Sequence, residues 1–107
     1  MAITNVRVAS TSTTEVFAAP LQEEHAVTTM FFCNQSDSND TELDIFIVPG
    51  GTALDTGTQV IKSLSLPAKE TFVFDAEKLI LDNGDAIYAR ATVDQIVVAT
   101  ISSVKTS

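Results

Sequence analysis

Apolar side chains recur at every second position over short runs of this chain, and a period of two commits such runs to extended strands with one covered face. The pattern is cleanest over Thr41–Val48, where Leu43, Ile45 and Ile47 alternate with Glu42, Asp44, Phe46 and Val48. Residues 71–91, TFVFDAEKLILDNGDAIYARA, hold two further apolar runs joined by Asp82, Asn83, Gly84 and Asp85, the clearest turn in the chain. In the second run Ile87, Ala89 and Ala91 fall on one face, Tyr88 and Arg90 on the other. Asn83 and Gly84 both tolerate positive φ, so this stretch is predicted to form a β-hairpin that the rest of the chain covers.

The remaining runs follow the same logic. Residues 3–9 form a first strand or an N-terminal arm reaching a neighbouring subunit, and residues 15–18 form a short strand closed by Pro20. Residues 25–34, HAVTTMFFCN, are apolar on both faces and read as a central strand. Residues 35–40, QSDSND, are an exposed polar loop. Pro49, Gly50 and Gly51 end the next strand. Residues 60–66 follow, with Val60, Lys62, Leu64 and Leu66 expected opposite Ile61, Ser63 and Ser65, and Pro67 stops that ladder. Phe72–Phe74 and 95–104 complete the set, Val97, Ala99 and Ile101 sharing a face. A helical turn over 74–81 is the one competing local pattern, and β-branched residues override it. The prediction is all-β: one domain, residues 1–107, built as an antiparallel two-sheet β-sandwich, jelly-roll-like or immunoglobulin-like, of about eight short strands. Residues 1–9 are its arm or edge strand.

A chain of 107 residues supports a core without staples. With 14 acidic against 6 basic residues it carries a formal charge of −8, and its Lys and Arg are dispersed, so nucleic acid is not an expected partner. A lone Cys33 forms no internal disulfide. The opening residues lack the pattern of an export signal, and no window has the length of a membrane span, so neither export nor a membrane partner is expected.

No residue pattern fixes a chemistry, and no catalytic or cofactor-binding residues are assigned. His25 has no companion at metal-ligand spacing and is expected at the surface. Cys33 lies in mid-strand, where a thiol behaves as a small hydrophobe. Two loops carry enough oxygen for a hard cation: Asp37, Asn39 and Asp40 in one, Asp82, Asn83 and Asp85 in the other. Neither has the spaced ligand series of a calcium motif, and Asp, Asn and Gly are also what tight turns require, so the turn reading is preferred. Pro49–Thr52 lacks the Lys and helix of a phosphate loop.

Several segments in their order resemble a family of small proteins of tailed bacteriophages, particularly phages of marine bacteria and cyanobacteria. They are TTEVFAAP, MFFCNQSDSND, the strand ending in VPGG, SLSLPAKET and LILDNGDAIYARAT, which together span about residues 13–104. Residues 21–24 depart from the Gly-Lys turn expected after the proline. The resemblance implies a β-sandwich virion structural component without catalytic motif, made in the host cytoplasm and placed in the virion as head decoration or cement, or in a neck, tail or fibre. Its implied partners are capsid or tail proteins and further copies of itself, a trimer being the expected oligomer. The alternative is a small β-sandwich module binding glycan or host surface, although the chain has no Trp and only Tyr88 besides its Phe residues to stack on a sugar.

Overall fold

The computed structural model describes residues 2–74 and 79–106. In chain order the strands are β1 (Ala2–Val8), β2 (Thr14–Ala18), β3 (Glu24–Asn34), β4 (Thr41–Val48), β5 (Gln59–Leu66), β6 (Thr71–Phe74), β7 (Leu79–Asp82), β8 (Ala86–Ala91) and β9 (Val97–Lys105), with one turn of 3-10 helix at Thr56–Thr58. The first sheet has the order β1-β9-β3-β6, and β7 also pairs with β3. Because β9 occupies one side of β3 along its length, β7 lies on the same side as β6, further along the edge. The second sheet has the order β2-β8-β4-β5, and all pairings in both sheets are antiparallel.

Taking β6 and β7 together as one divided edge gives two four-stranded sheets whose consecutive strands mostly lie in opposite layers. An immunoglobulin order would pair β1 with β2 in one sheet. Here they belong to different sheets, and the order is that of a jelly roll. The residues between β6 and β7, on which part of the helical-turn alternative fell, lie outside the described residues; the flanking residues are strand.

The core follows from the alternation. Val97, Ala99 and Ile101 of β9, Val27, Met30 and Phe32 of β3, Leu43 and Ile45 of β4, and Ile87, Ala89 and Ala91 of β8 are buried between the layers in one cluster. Phe72 and Phe74 close it at the β6 edge, Phe72 stacked on Phe32 at 6.4 Å between ring centroids.

Besides the β3 register shift between Val27 and Thr29, which puts Val27 on the core face with Met30 and Phe32 where counting by two opposes them, two expectations from periodicity fail for identifiable reasons. The predicted hairpin does not form, since β7 pairs with β3 while β8 pairs with β2 and β4. Leu81 and Ile87 are both buried, on strands of opposite sheets, so the Asp82–Asp85 turn carries the chain across the sandwich. Asn83 and Gly84 do take positive φ, 47° and 91°. What fixes the turn is its neighbour, the β2–β3 connection: Gly84 N–H donates to Ala19 O at 3.0 Å, Asn83 N–H to Glu23 O at 3.1 Å, and Ala19 N–H to Asp85 O at 2.9 Å.

The second failure is in β5. Ser63 sits at φ 54°, and the β4–β5 register shifts on both sides of Ile45. Strict alternation is thereby broken: Ile61 and Leu64, three apart, both pack on the core, while Val60 is exposed. Asp44 holds the kink by accepting the Ser63 N–H at 2.7 Å.

At the opposite end from the Asp82–Asp85 turn, Asn34 ends β3 with an exposure of 0 %. Its Nδ2 donates to Asn39 O at 2.9 Å and Leu66 O at 3.0 Å, and its Oδ1 accepts from Ser36 N–H at 3.0 Å. One buried amide thus ties the β3–β4 loop to the end of β5. Asn34→Ala strands two carbonyls and an N–H, and is expected to lower stability by about 2–4 kcal/mol. Urea denaturation should show the midpoint falling with the slope unchanged, and an unchanged midpoint would refute this account of the loop.

Candidate interaction surface

The structure disposes of the polar residues singled out by sequence in different ways. Asp85 is engaged by backbone on both oxygens: Oδ1 accepts from Gly50 N–H at 2.7 Å and Oδ2 from Asp82 N–H at 3.1 Å. Gly50 is needed for this approach, because a Cβ there would stand 2.5 Å from Asn83 O. Asn83 Oδ1 faces Gln22 N–H at 3.4 Å. In the other loop, Asp40 Oδ1 accepts from Ala68 N–H at 3.0 Å, Asn39 contributes backbone groups to Asn34 and Ser36, and Asp37 is exposed. Both loops are therefore held as turns by their own side chains. Among the described residues no three His, Cys, Asp or Glu side chains come together as a metal-ligating group.

His25 is less exposed than its sequence position implies. Its β7 partner is Leu81, a core residue, so the ring turns inward and packs edge-on against Phe17 at 5.7 Å, with 16 % of the side chain accessible. Nε2 lies 3.0 Å from Glu23 Oε1, while Nδ1 is buried without a hydrogen-bond partner among the described residues. Glu23 also lies 3.9 Å from Lys105 Nζ. Beside this group an open cleft of about 210 Å³ is lined by Gln22, Glu23, Glu24, Asp82 and Asn83. It contains carboxylates and amides but no arrangement of nucleophile and base.

The feature that alternation alone does not announce is the outer face of the first sheet. Inward positions being Val6, Val8, Val97, Ala99, Ile101, Met30, Phe32, Phe72 and Phe74, the intervening residues point away from the core. Register aligns them in rows: Asn5, Thr100, Phe31 and Val73; Arg7, Val98, Cys33 and Thr71; and Val104, Ala26 and Ile80. Among the described residues, four of the six exposed large hydrophobic side chains, Ile3, Phe31, Val73 and Ile80, lie here. Most of the polar members carry hydroxyls, and Thr100 Oγ1 donates to Asn5 Oδ1 at 2.7 Å. Charge is confined to the margins, Arg7 at one end and Glu24 with Asp82 at the other. Cys33, half-buried, is part of this face rather than of the core.

The outer face of the second sheet is the opposite in character. Glu15, Glu42, Asp44, Lys62 and Arg90 project from it; of its apolar members Phe46, Val48 and Ala86 are buried outside the main core cluster, and Val60 at the β5 edge is exposed. Four strands at about 4.8 Å and eight residues at about 3.3 Å make the first face on the order of 500 Å². That is the size of patch at which a monomer's surface often serves binding.

Comparison with known proteins found no matching family model, no matching curated protein and no matching solved structure. What the geometry defines is an acidic jelly roll with one uncharged sheet face. Because both Asp85 oxygens already serve backbone N–H groups, Asp85→Ala is expected to cost about 2–3 kcal/mol, equally with calcium or with chelator present. Thermal unfolding under both conditions checks this. A melting temperature that rises with calcium in the parent chain and not in Asp85→Ala would instead identify a cation at this turn.

Proposed function

We propose that this chain is a non-enzymatic structural protein of a tailed bacteriophage particle, a head decoration or cement protein or a component associated with neck, tail or fibre. It acts through contacts with capsid or tail proteins. The observation that carries this reading is the uncharged outer face of the first sheet, a flat surface suited to lie against another protein, on a chain whose remaining surface is rich in carboxylates. Architecture adds support by analogy only: jelly rolls recur in viral capsids, and also in lectins and cupins.

The competing reading, a glycan or host-surface module, draws less from the structure. Sugar sites lean on exposed aromatic rings, and among the described residues Phe31 is the one aromatic side chain with large exposure, set in the middle of a flat sheet rather than in a loop cluster. Nothing about the His25 cleft supplies a stacking platform.

Mass spectrometry of purified particles from a phage encoding this chain, counting it against the major capsid protein, tests the proposal. A ratio near unity indicates head decoration, and a far lower ratio indicates neck, tail or fibre. Absence from the particle overturns the proposal. If the sheet face is the contact, Phe31→Lys combined with Val73→Lys should leave the fold intact, both side chains being exposed, and reduce incorporation at least about tenfold. Normal incorporation of that variant would place the contact elsewhere.

A further inference from the structure

A sheet edge left unpaired is a template for another strand, and proteins that stay single blunt their edges with bulges, prolines, charges or brevity. Of the four edges in this sandwich, three are blunted. β2 has five residues, a register shift between Glu15 and Phe17, and Pro20 just beyond it. β5 is kinked at Ser63, shifted in register around Ile45, and carries Lys62. On the edge opposite β1 the described pairings with β3 fall in two blocks, Thr71–Phe74 against Met30–Cys33 and Leu79–Asp82 against Glu24–Val27. Edge strand β1 differs from all of them. It pairs with β9 residue for residue from Ala2 to Val8 with no shift, has no proline, and has no strand on its other side among the described residues.

We infer that β1 is the site at which two copies of this chain join, the strands pairing antiparallel about a twofold axis so that the first sheet continues from one copy into the next. The occupant follows from charge and symmetry. All 14 carboxylates lie beyond residue 14, and neither β1 nor β9 contains one, so this edge is where two chains of charge −8 meet without opposing acids. The charged side chain on β1, Arg7, already donates to Gln95 O at 2.8 Å. A twofold pairing uses the same edge twice, whereas a ring of three joined by strand pairing needs two different competent edges on each copy. The structure has one.

Residues 2–8 accordingly form an integral strand rather than an arm reaching out from a finished domain. Val8 is fully buried and Val6 packs on the core, so removing the segment would open the sandwich as well as the contact. Association is tested instead by outward side chains. Seven residues a side is well below a standard interface, so the dimer should be concentration-dependent, its mass doubling somewhere between about 1 μM and about 1 mM in sedimentation. Pairing along the whole of Ala2–Val8 sets Asn5 opposite itself on the axis and Ile3 opposite Arg7 of the other copy, and Asn5 is exposed on the outward face, so it can be changed without touching the core. Asn5→Glu should raise the dissociation constant about tenfold or more by setting two acids directly opposite one another on the axis, while Val60→Glu on the β5 edge should leave it unchanged. In a Cys33→Ser background, Asn5→Cys should form an intermolecular disulfide on oxidation, and Val60→Cys should not. A monomer throughout that range, a trimeric mass, or a dimer abolished by Phe31→Glu but indifferent to Asn5→Glu would overturn the inference. It does not depend on the virion reading, and particle mass spectrometry does not bear on it.

Discussion

All connections except β4–β5 and the continuation from β6 to β7 carry the chain from one sheet to the other. Each crossing takes backbone N–H and C=O groups off the ladders while still near the core, and those groups need partners. The two ends of the sandwich meet this demand with side chains. At one end Asp85 accepts from Gly50 and Asp82 while the backbone of the same turn bonds to Ala19 and Glu23. At the other, Asn34 serves Asn39, Leu66 and Ser36, and Thr41 Oγ1 lies 3.1 Å from Thr92 Oγ1 and accepts from Val93 N–H. Burial of apolar strands supplies the driving force, and these few polar groups decide that the strands close in this order.

Strand positions are largely legible because a period of two is a local property. The inward sets Leu43, Ile45 and Ile47, or Ile87, Ala89 and Ala91, follow from counting alone. Pairing is not local. The Asp82–Asp85 turn carries the residues of a hairpin, yet its strands belong to different sheets, because the bonds that orient it come from Ala19 and Glu23, some sixty positions earlier. The β5 kink escapes for the same reason, depending on a carboxylate of β4 reaching Ser63. Asn34 had a signal available: it continues the inward parity of Met30 and Phe32, and an amide on a core face demands a full set of partners. The candidate surface was half legible. Alternation identifies outward residues, but only register shows that Phe31, Val73, Thr100 and Asn5 share a row.

The distribution of charge is more informative than its total. A chain of −8 with carboxylates on every surface would simply be soluble. Among the described residues, the second sheet's outer face and the crossing loops hold most of the acids, while the first sheet's outer face holds hydroxyls and hydrophobes, with Glu24 and Asp82 at one margin. Many of the acids also have local tasks: Asp40 receives Ala68 N–H, Asp44 fixes the β5 kink, Asp55 caps the 3-10 turn, Asp85 holds the crossing, and Asp94 receives Ser10 N–H at 2.9 Å. Turn chemistry thus pulls carboxylates toward the sandwich ends, where one sheet face can remain free of them at no cost to closure.

The edges carry the same asymmetry one step further. Asp44 both shields the second sheet and, through Ser63, spoils β5 as a template; the β2 bulge and Pro20 do likewise on the other side. Those devices cost regular pairing within the sheets they protect, so their presence on three edges and absence from the fourth is a difference the fold itself does not require. Nothing in the core needs β1 to be straight. Val6 and Val8 would still face inward if the strand were shorter or carried a charge at Ile3. A regular, acid-free strand bordering an uncharged sheet face is therefore surplus to folding, and what it adds is a surface on which the sheet can be extended.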